Sequence, residues 1–386
     1  MKPKLLVTAS TFPRWEGDTE PRFILDLSKA LLKYFDVTVL VPAAIGAKDK
    51  EVLEGVNVIR YHYFPIHKWE TLCYPGAIVP RIKEKKTRIL LVPFLFFSLW
   101  KTLAKILPYY DVVHAHWLIP QGIVQSFFRK KYVLTGHGGD VTSLNNGIIK
   151  KLKVHSLRRA SYITVVSTAL RSEILSLDNS INVIVRSMGV NCREFSPKYR
   201  GDNYFGQTDK KIILFVGRLA EKKGVTYLIE AMKEVDAKLV IVGKGTLEYD
   251  LKRQAEDQKD KIVFLGAKTH DELKTIYSSS DIFVAPSITA KDGDKEGFGL
   301  VFLEAMASGL PVVGSNSGGI PDIVNDGENG FLTEEKNSHD LAKKINYLLS
   351  HPDLYKKMQQ NALETAQGYD YNIIAKDYKN LLDKCL

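Results

Sequence analysis

The chain has 386 residues, of which 45% are hydrophobic, 25% charged and 10% aromatic. That excludes a disordered, collagenous or low-complexity polymer, and the length exceeds what one core usually serves. The 54 Lys and Arg against 44 Asp and Glu give a formal charge of +10, and the surplus is uneven: residues 1–200 hold 30 basic and 15 acidic side chains, so an anionic partner is expected on the first half.

Short apolar runs recur along the chain, each the length of a buried strand and most followed by a segment with helical spacing. In the first half they are Leu5–Ala9, Val37–Val41, Val56–Tyr61, Val112–Ala115, Tyr132–Thr135 and Tyr162–Val166. The second half has Ile212–Val216, Leu239–Val242, Ile262–Leu265, Ile282–Ala285 and Pro311–Gly314. Near-continuous Val, Ile and Leu suit parallel strands covered by helices on both faces. The fold class predicted is therefore α/β, two doubly wound Rossmann-like domains joined near residues 194–210, a polar stretch with Pro and Gly. Such domains hold ligands at the carboxyl ends of their strands, here in a cleft between the two.

Two properties bear on location. Cys73, Cys192 and Cys385 are odd in number and lack CxxC spacing, which argues against a disulfide framework or a zinc site and fits a reducing cytosol. The stretch Ile89–Leu107 is the most apolar, but Pro93, Lys101 and Lys105 interrupt it, and no membrane span is predicted. It follows the basic run Arg81–Arg88, so residues 81–107 read either as a segment lying on an anionic membrane surface, at the inner face of the cell membrane, or as a buried helix with a charged loop before it. No nucleic-acid motif accompanies the high charge, and no nucleic-acid partner is expected.

Four segments carry candidate chemistry. Leu134–Val141 places His137 and Asp140 on a glycine-rich turn after a strand, where an imidazole can hydrogen-bond a hydroxyl or stabilise developing charge and a carboxylate can hold an acceptor hydroxyl. His114 and His116 stand two apart, with no third metal ligand evident, and no metal site is predicted. Arg218 and Lys223, at the end of the first strand of the second half, can both reach a diphosphate, Arg by its fork and Lys as a point charge. Gly243 and Gly245 follow the next strand and permit close backbone approach to a ligand. In Lys295–Val313, glycines open a helix of about ten residues whose N-terminus suits a phosphate; Glu296 precedes it and Glu304 lies within it.

Taken together and in this order, these segments resemble a retaining glycosyltransferase of family 4 (glycosyl transferases group 1), with the GT-B fold. Glu296 and Glu304 match its Glu-(x)7-Glu motif, Arg218 and Lys223 its Gly-Arg loop with a following Lys, and His137 its glycine-rich turn. The resemblance implies transfer of a hexose or N-acetylhexosamine from a nucleoside-diphosphate sugar, UDP- or GDP-linked, to a glycan or lipid-linked acceptor, with no metal or other cofactor. It implies an acceptor domain over 1–194, joined by a C-terminal helix at about 368–386, and a donor domain over 195–367. His137, Glu296, Arg218 and Lys223 are then the catalytic set. Donor contacts fall on Gly17, Arg218, Lys223, Gly243, Gly245, Ala267, Lys268, Glu296, Gly297, Phe298, Gly299, Leu300 and Glu304, and acceptor contacts on Asp140 and Arg14. The loop after the first strand departs from the family in having one glycine, Gly17, where a pair is common; Arg14 or Arg22 is expected to replace the lost backbone contacts. The alternatives are an inactive sugar-nucleotide-binding or scaffold protein, a nucleotide-sugar epimerase, or a phosphorylase holding pyridoxal phosphate on a lysine.

Overall fold

The computed structural model describes residues 1–202, 204–206 and 208–386; Asn203 and Gln207, in the expected linker, lie outside the described residues. The chain forms two compact units, Met1–Met188 with Tyr371–Leu386, and Gly189–Asp370.

In the first unit the strands are β1 (Lys4–Thr8), β2 (Asp36–Pro42), β3 (Lys50–Leu53), β4 (Val56–Tyr61), β5 (Val112–His116), β6 (Tyr132–Gly136), β7 (Tyr162–Val165) and β8 (Val183–Val185), in the spatial order β3-β4-β2-β1-β5-β6-β7-β8. All neighbours are parallel except the β3–β4 hairpin, whose Glu54-Gly55 turn has positive φ at both residues. Every residue of β5 and β6 is buried, as a strand covered on both faces requires. The last helix, Tyr371–Asp383, buries Tyr371, Ile374, Ala375, Tyr378, Leu381 and Leu382 within this unit, and the Tyr378 hydroxyl donates to Arg186 O at 3.0 Å.

The second unit is a wholly parallel sheet of β9 (Ile212–Val216), β10 (Lys238–Val242), β11 (Ile262–Gly266), β12 (Ile282–Ala285), β13 (Val312–Ser315) and β14 (Gly330–Thr333), ordered β11-β10-β9-β12-β13-β14. The order reverses at β9, so the loops after β9 and β12 diverge there and leave room for a ligand. Residues 189–194, read from the sequence as the end of the first domain, group with this unit. Val190 bridges Asp370, Cys192 Sγ lies 3.4 Å from Ala366 O, and Phe195 packs edge-on against His270 and Tyr277.

The apolar stretch 89–107 forms the helix Val92–Ile106, preceded by a tight turn over Lys86–Leu91. Leu91, Leu95, Leu99 and Leu103 are buried, whereas Leu90 (70%) and Phe97 (61%) are largely exposed, along with Ile89, Phe94 and Trp100. The buried-helix reading therefore holds for one face only: the leucine face belongs to the core, and the opposite face, which carries Phe94, Phe97 and Trp100 together with Lys101 and Lys105, faces solvent. Over Lys86–Tyr109 the helical stretch is long and apolar enough to cross a membrane by length and composition, yet its leucine face is built into the unit's core.

Candidate active site

The second unit assembles its site where β9 ends. Gly217, immediately after β9, donates its N–H to Val242 O at 3.0 Å, which ties the loops after β9 and β10 together. A Cβ on Gly243 (φ +134°) would sit 1.9 Å from Gly217 O, and one on Gly245 would sit 2.2 Å from Leu219 O. The close approach these two glycines permit is therefore to the Gly217–Leu219 backbone, which they seat beneath Arg218. Gly224 (φ +63°) is equally constrained, with Pro286 O 1.9 Å from where its Cβ would be.

Arg218 is exposed, and among the described residues its guanidinium has no hydrogen-bond or ion-pair partner. Lys223, by contrast, reaches across 73 residues to form a tight ion pair with Glu296, both side chains more than four-fifths buried. Lys222 pairs with Asp294 at 3.0 Å. Burial pushes the Glu296 carboxyl up, but Lys223, Lys222 and the Gly297 N–H outweigh it and hold the group at about 2. Glu296 is thus a fixed carboxylate near neutral pH, suited to accepting hydrogen bonds from hydroxyls and unsuited to acting as an acid. Its backbone is held as firmly: Gly319 N–H donates to Glu296 O at 3.1 Å, and a Cβ on Gly318 would come within 2.1 Å of that oxygen.

Gly299 (φ +94°) opens the helix Leu300–Ala307, eight residues long where about ten are expected from the sequence. The Phe298 side chain is buried, its ring 6.0 Å from that of Tyr369, so it offers a ligand only backbone. Glu304 on this helix receives a hydrogen bond from the buried Tyr277 hydroxyl at 2.8 Å. Burial raises its carboxyl above the usual range despite His270 and Tyr277. His270 is itself fixed by Glu194 at 2.7 Å. Ala267 and Lys268 follow β11, and Lys268 pairs with Glu272 at 2.9 Å on its own turn. The structure therefore brings Lys223 to Glu296 and Gly243 and Gly245 to the Arg218 loop, and among the described residues Lys268 is bound to Glu272 and to no predicted site residue.

In the first unit, His137 Nε2 lies 2.9 Å from His116 Nδ1, and its ring packs against Trp117 and Phe23. Burial lowers His137 to about 3, so the ring is neutral near pH 7, a form that can still donate a hydrogen bond to a hydroxyl or to developing negative charge. Asp140 accepts from the backbone N–H groups of Leu118 (2.8 Å), His137 (3.1 Å) and Gly138 (2.9 Å), so its carboxylate shapes the turn that presents His137. The Arg14 fork is paired with Asp18 at 2.8 and 2.7 Å, and Arg22 with Glu54 at 2.6 and 2.9 Å; Gly17 lies on an exposed turn between them in sequence. His114 bonds Thr135 at 2.8 Å and is buried.

Sequence reasoning missed Tyr277, His270 and Glu194 around Glu304, Gly318 and Gly319 around Glu296, and His116 as the partner of His137. The Gly-Gly pair following β13 is the one signal that pointed there.

Residues 21–194 match Glycosyltransferase Family 4 and residues 202–365 match Glycosyl transferases group 1. An uncharacterized glycosyltransferase of Methanocaldococcus jannaschii is 32% identical over 384 residues, covering 92% of this chain and 91% of that protein. The chain belongs to the group 1 glycosyltransferases. In fold this glycosyltransferase is similar to sucrose-phosphate synthase from Thermosynechococcus elongatus, with 21% identity, 99% of each chain covered and a TM-score of 0.80. It is also similar to Anabaena HepE in complex with UDP and glucose, with 22% identity, 99% of each chain covered and a TM-score of 0.74. The glycosyltransferase fold is GT-B, two parallel-sheet Rossmann-like domains.

Proposed function

We propose that this glycosyltransferase moves a hexose or N-acetylhexosamine from a nucleoside-diphosphate sugar to a glycan or lipid-linked acceptor with retention of configuration. The observation that carries the reading is an exposed Arg218, without a side-chain partner among the described residues, in the same loop after β9 as Lys223, which forms a buried ion pair with Glu296. Arg218 and Lys223 neutralise the diphosphate, and the backbone N–H groups at the start of the Leu300–Ala307 helix add to that field. Glu296, held ionised, receives sugar hydroxyls, and Glu304, set by Tyr277, receives those of the ribose. Support for a UDP-linked donor comes from the similarity to Anabaena HepE, a structure in complex with UDP and glucose.

In the reaction the bond from the anomeric carbon to the diphosphate oxygen breaks, and the acceptor oxygen bonds that carbon on the same face. The acceptor proton passes to the departing phosphate oxygen. Protein groups need supply no strong base, only stabilisation of the leaving charge, and the two cations, Lys223 held by Glu296 and Arg218 free to reach the diphosphate, serve without a metal. The test is slow donor hydrolysis without acceptor, followed by proton NMR: the sugar first released is expected to keep the donor's anomeric configuration. First release of the opposite anomer contradicts retention.

A membrane-facing role is carried by a separate observation. The exposed face of Val92–Ile106 presents Phe94, Phe97 and Trp100, with Leu90 before it, and Lys83, Lys85, Lys86, Lys101 and Lys105 are exposed beside it. Apolar side chains accompanied by exposed lysines suit the headgroup region of an anionic leaflet, which supports the lipid-linked form of the acceptor.

A further inference from the structure

The loop after β4 carries a cluster that the transfer reaction does not use. A tight turn over His67–Trp69 folds the chain back, so that the His67 ring stacks on His62 with centroids 3.5 Å apart and planes 9° from parallel. Among the described residues the His67 ring makes no hydrogen bond, and the residue is exposed. Glu70, at the end of the turn, is buried. One of its oxygens, Oε1, accepts from the backbone N–H groups of Tyr63 and Phe64, which leaves Oε2 aimed at His62 Nδ1 at 2.7 Å. Ligand atoms of His62, His67 and Glu70 all lie within 4.8 Å of one another.

We propose that His62, His67 and Glu70 form a binding site for a divalent transition metal of the zinc class. Two imidazoles and one carboxylate are a donor set that such ions favour, and metal–ligand bonds of about 2.0–2.2 Å put ligand atoms on one ion roughly 3–3.5 Å apart. The His62–Glu70 pair is already near that spacing, and the exposed His67 closes the remainder by rotating its side chain. The surroundings are those of a ligand set that is held in place. His62 Nε2 faces Asp49 Oδ1 at 3.0 Å, the carboxylate–histidine arrangement that fixes the ring and makes the other nitrogen more basic, and the second oxygen of Glu70 is fastened by backbone donors. On binding, the metal replaces the proton on His62 Nδ1, which is released to solvent. The fourth position stays open to water. The bound ion would tie the exposed Ile66 and Trp69 of this loop to the end of β4, a role independent of donor binding.

The test is isothermal titration of Zn²⁺ into tag-free, chelator-treated full-length protein, with Co²⁺ absorption in the visible as a second probe of nitrogen ligation. The parent is expected to bind one Zn²⁺ per chain at this site, and His67→Ala to lose at least tenfold in affinity while the metal-free melting temperature stays that of the parent, since the ring is exposed. Asp49→Asn is expected to weaken binding to a smaller degree. A parent that takes up no stoichiometric Zn²⁺, or a His67→Ala variant that binds as the parent does, overturns the proposal.

Discussion

Glu296 is surrounded on every side that the chain can reach: Lys223 and Lys222 at its carboxylate, Gly297 N–H beside them, Gly318 and Gly319 against its backbone oxygen. A carboxylate this constrained holds its position and its charge before any ligand arrives. Glu296→Gln keeps the shape, removes the charge and leaves Lys223 without its partner. Donor turnover in this variant is expected to fall by about a hundredfold or more, the scale seen when a fixed electrostatic contact to the reacting groups is lost, with a melting temperature that still reports a folded chain. Unchanged turnover would take Glu296 out of the site. The residues of this cluster were legible in the sequence singly, as a glycine-rich helix start and a basic loop; the ion pair joining them was not, because it spans 73 residues and forms only once β9 and the loop after β12 are side by side. Tyr277 escaped for a different reason. It sits on a helix at a position that packs as core, and only its hydroxyl reaches Glu304.

Among the elements, the buried central strands were readable because covering both faces demands unbroken Val, Ile and Leu, as in Ile212–Val216. The strands that sequence reasoning missed, β3, β8 and β14, each lie at a sheet edge, where one side has no strand neighbour and short, mixed sequences such as Lys50–Leu53 suffice. The Val92–Ile106 helix was ambiguous for the opposite reason: apolar side chains occur on more than one face, and periodicity cannot say which of them is covered. Its exposed face leads to a binding prediction. Vesicles rich in anionic phospholipid are expected to pull the protein down at low salt, less so at high salt, and Phe97→Glu is expected to abolish sedimentation without unfolding the chain. Failure of the parent to bind such vesicles would contradict the membrane role and leave the transfer chemistry untouched.

At the scale of the whole molecule, buried histidines tie stability to pH. Burial lowers His114 and His137 to about 3 and His116 well below its ordinary value. Each is neutral when folded but takes a proton near pH 6.5 when unfolded, so the stability they contribute is present above that pH and is lost as the pH falls from about 6.5 toward 3. Each contributes a slope of about 1.4 kcal/mol per pH unit. Other groups oppose them. Burial pulls His62 down, but Glu70 and Asp49 raise it overall, and burial raises Glu304 and Asp140; all three favour the folded state on the acid side. Denaturant melts between pH 7 and 5 are expected to show falling stability, with His114→Asn shallower by about one proton. A flat profile, or an unchanged slope in His114→Asn, would mean that these rings titrate when folded.

The central claim is that the end of β9 binds a nucleoside diphosphate through Arg218. The most direct measurement is a thermal-shift panel of UDP, GDP, ADP and their common sugar conjugates on the parent and on Arg218→Ala, since a ligand that binds only the folded state raises the melting temperature by mass action. One nucleotide family is expected to stabilise the parent, and Arg218→Ala to need at least tenfold more of it for the same shift. No shift with any of these ligands, or an equal shift in both proteins, would contradict the account.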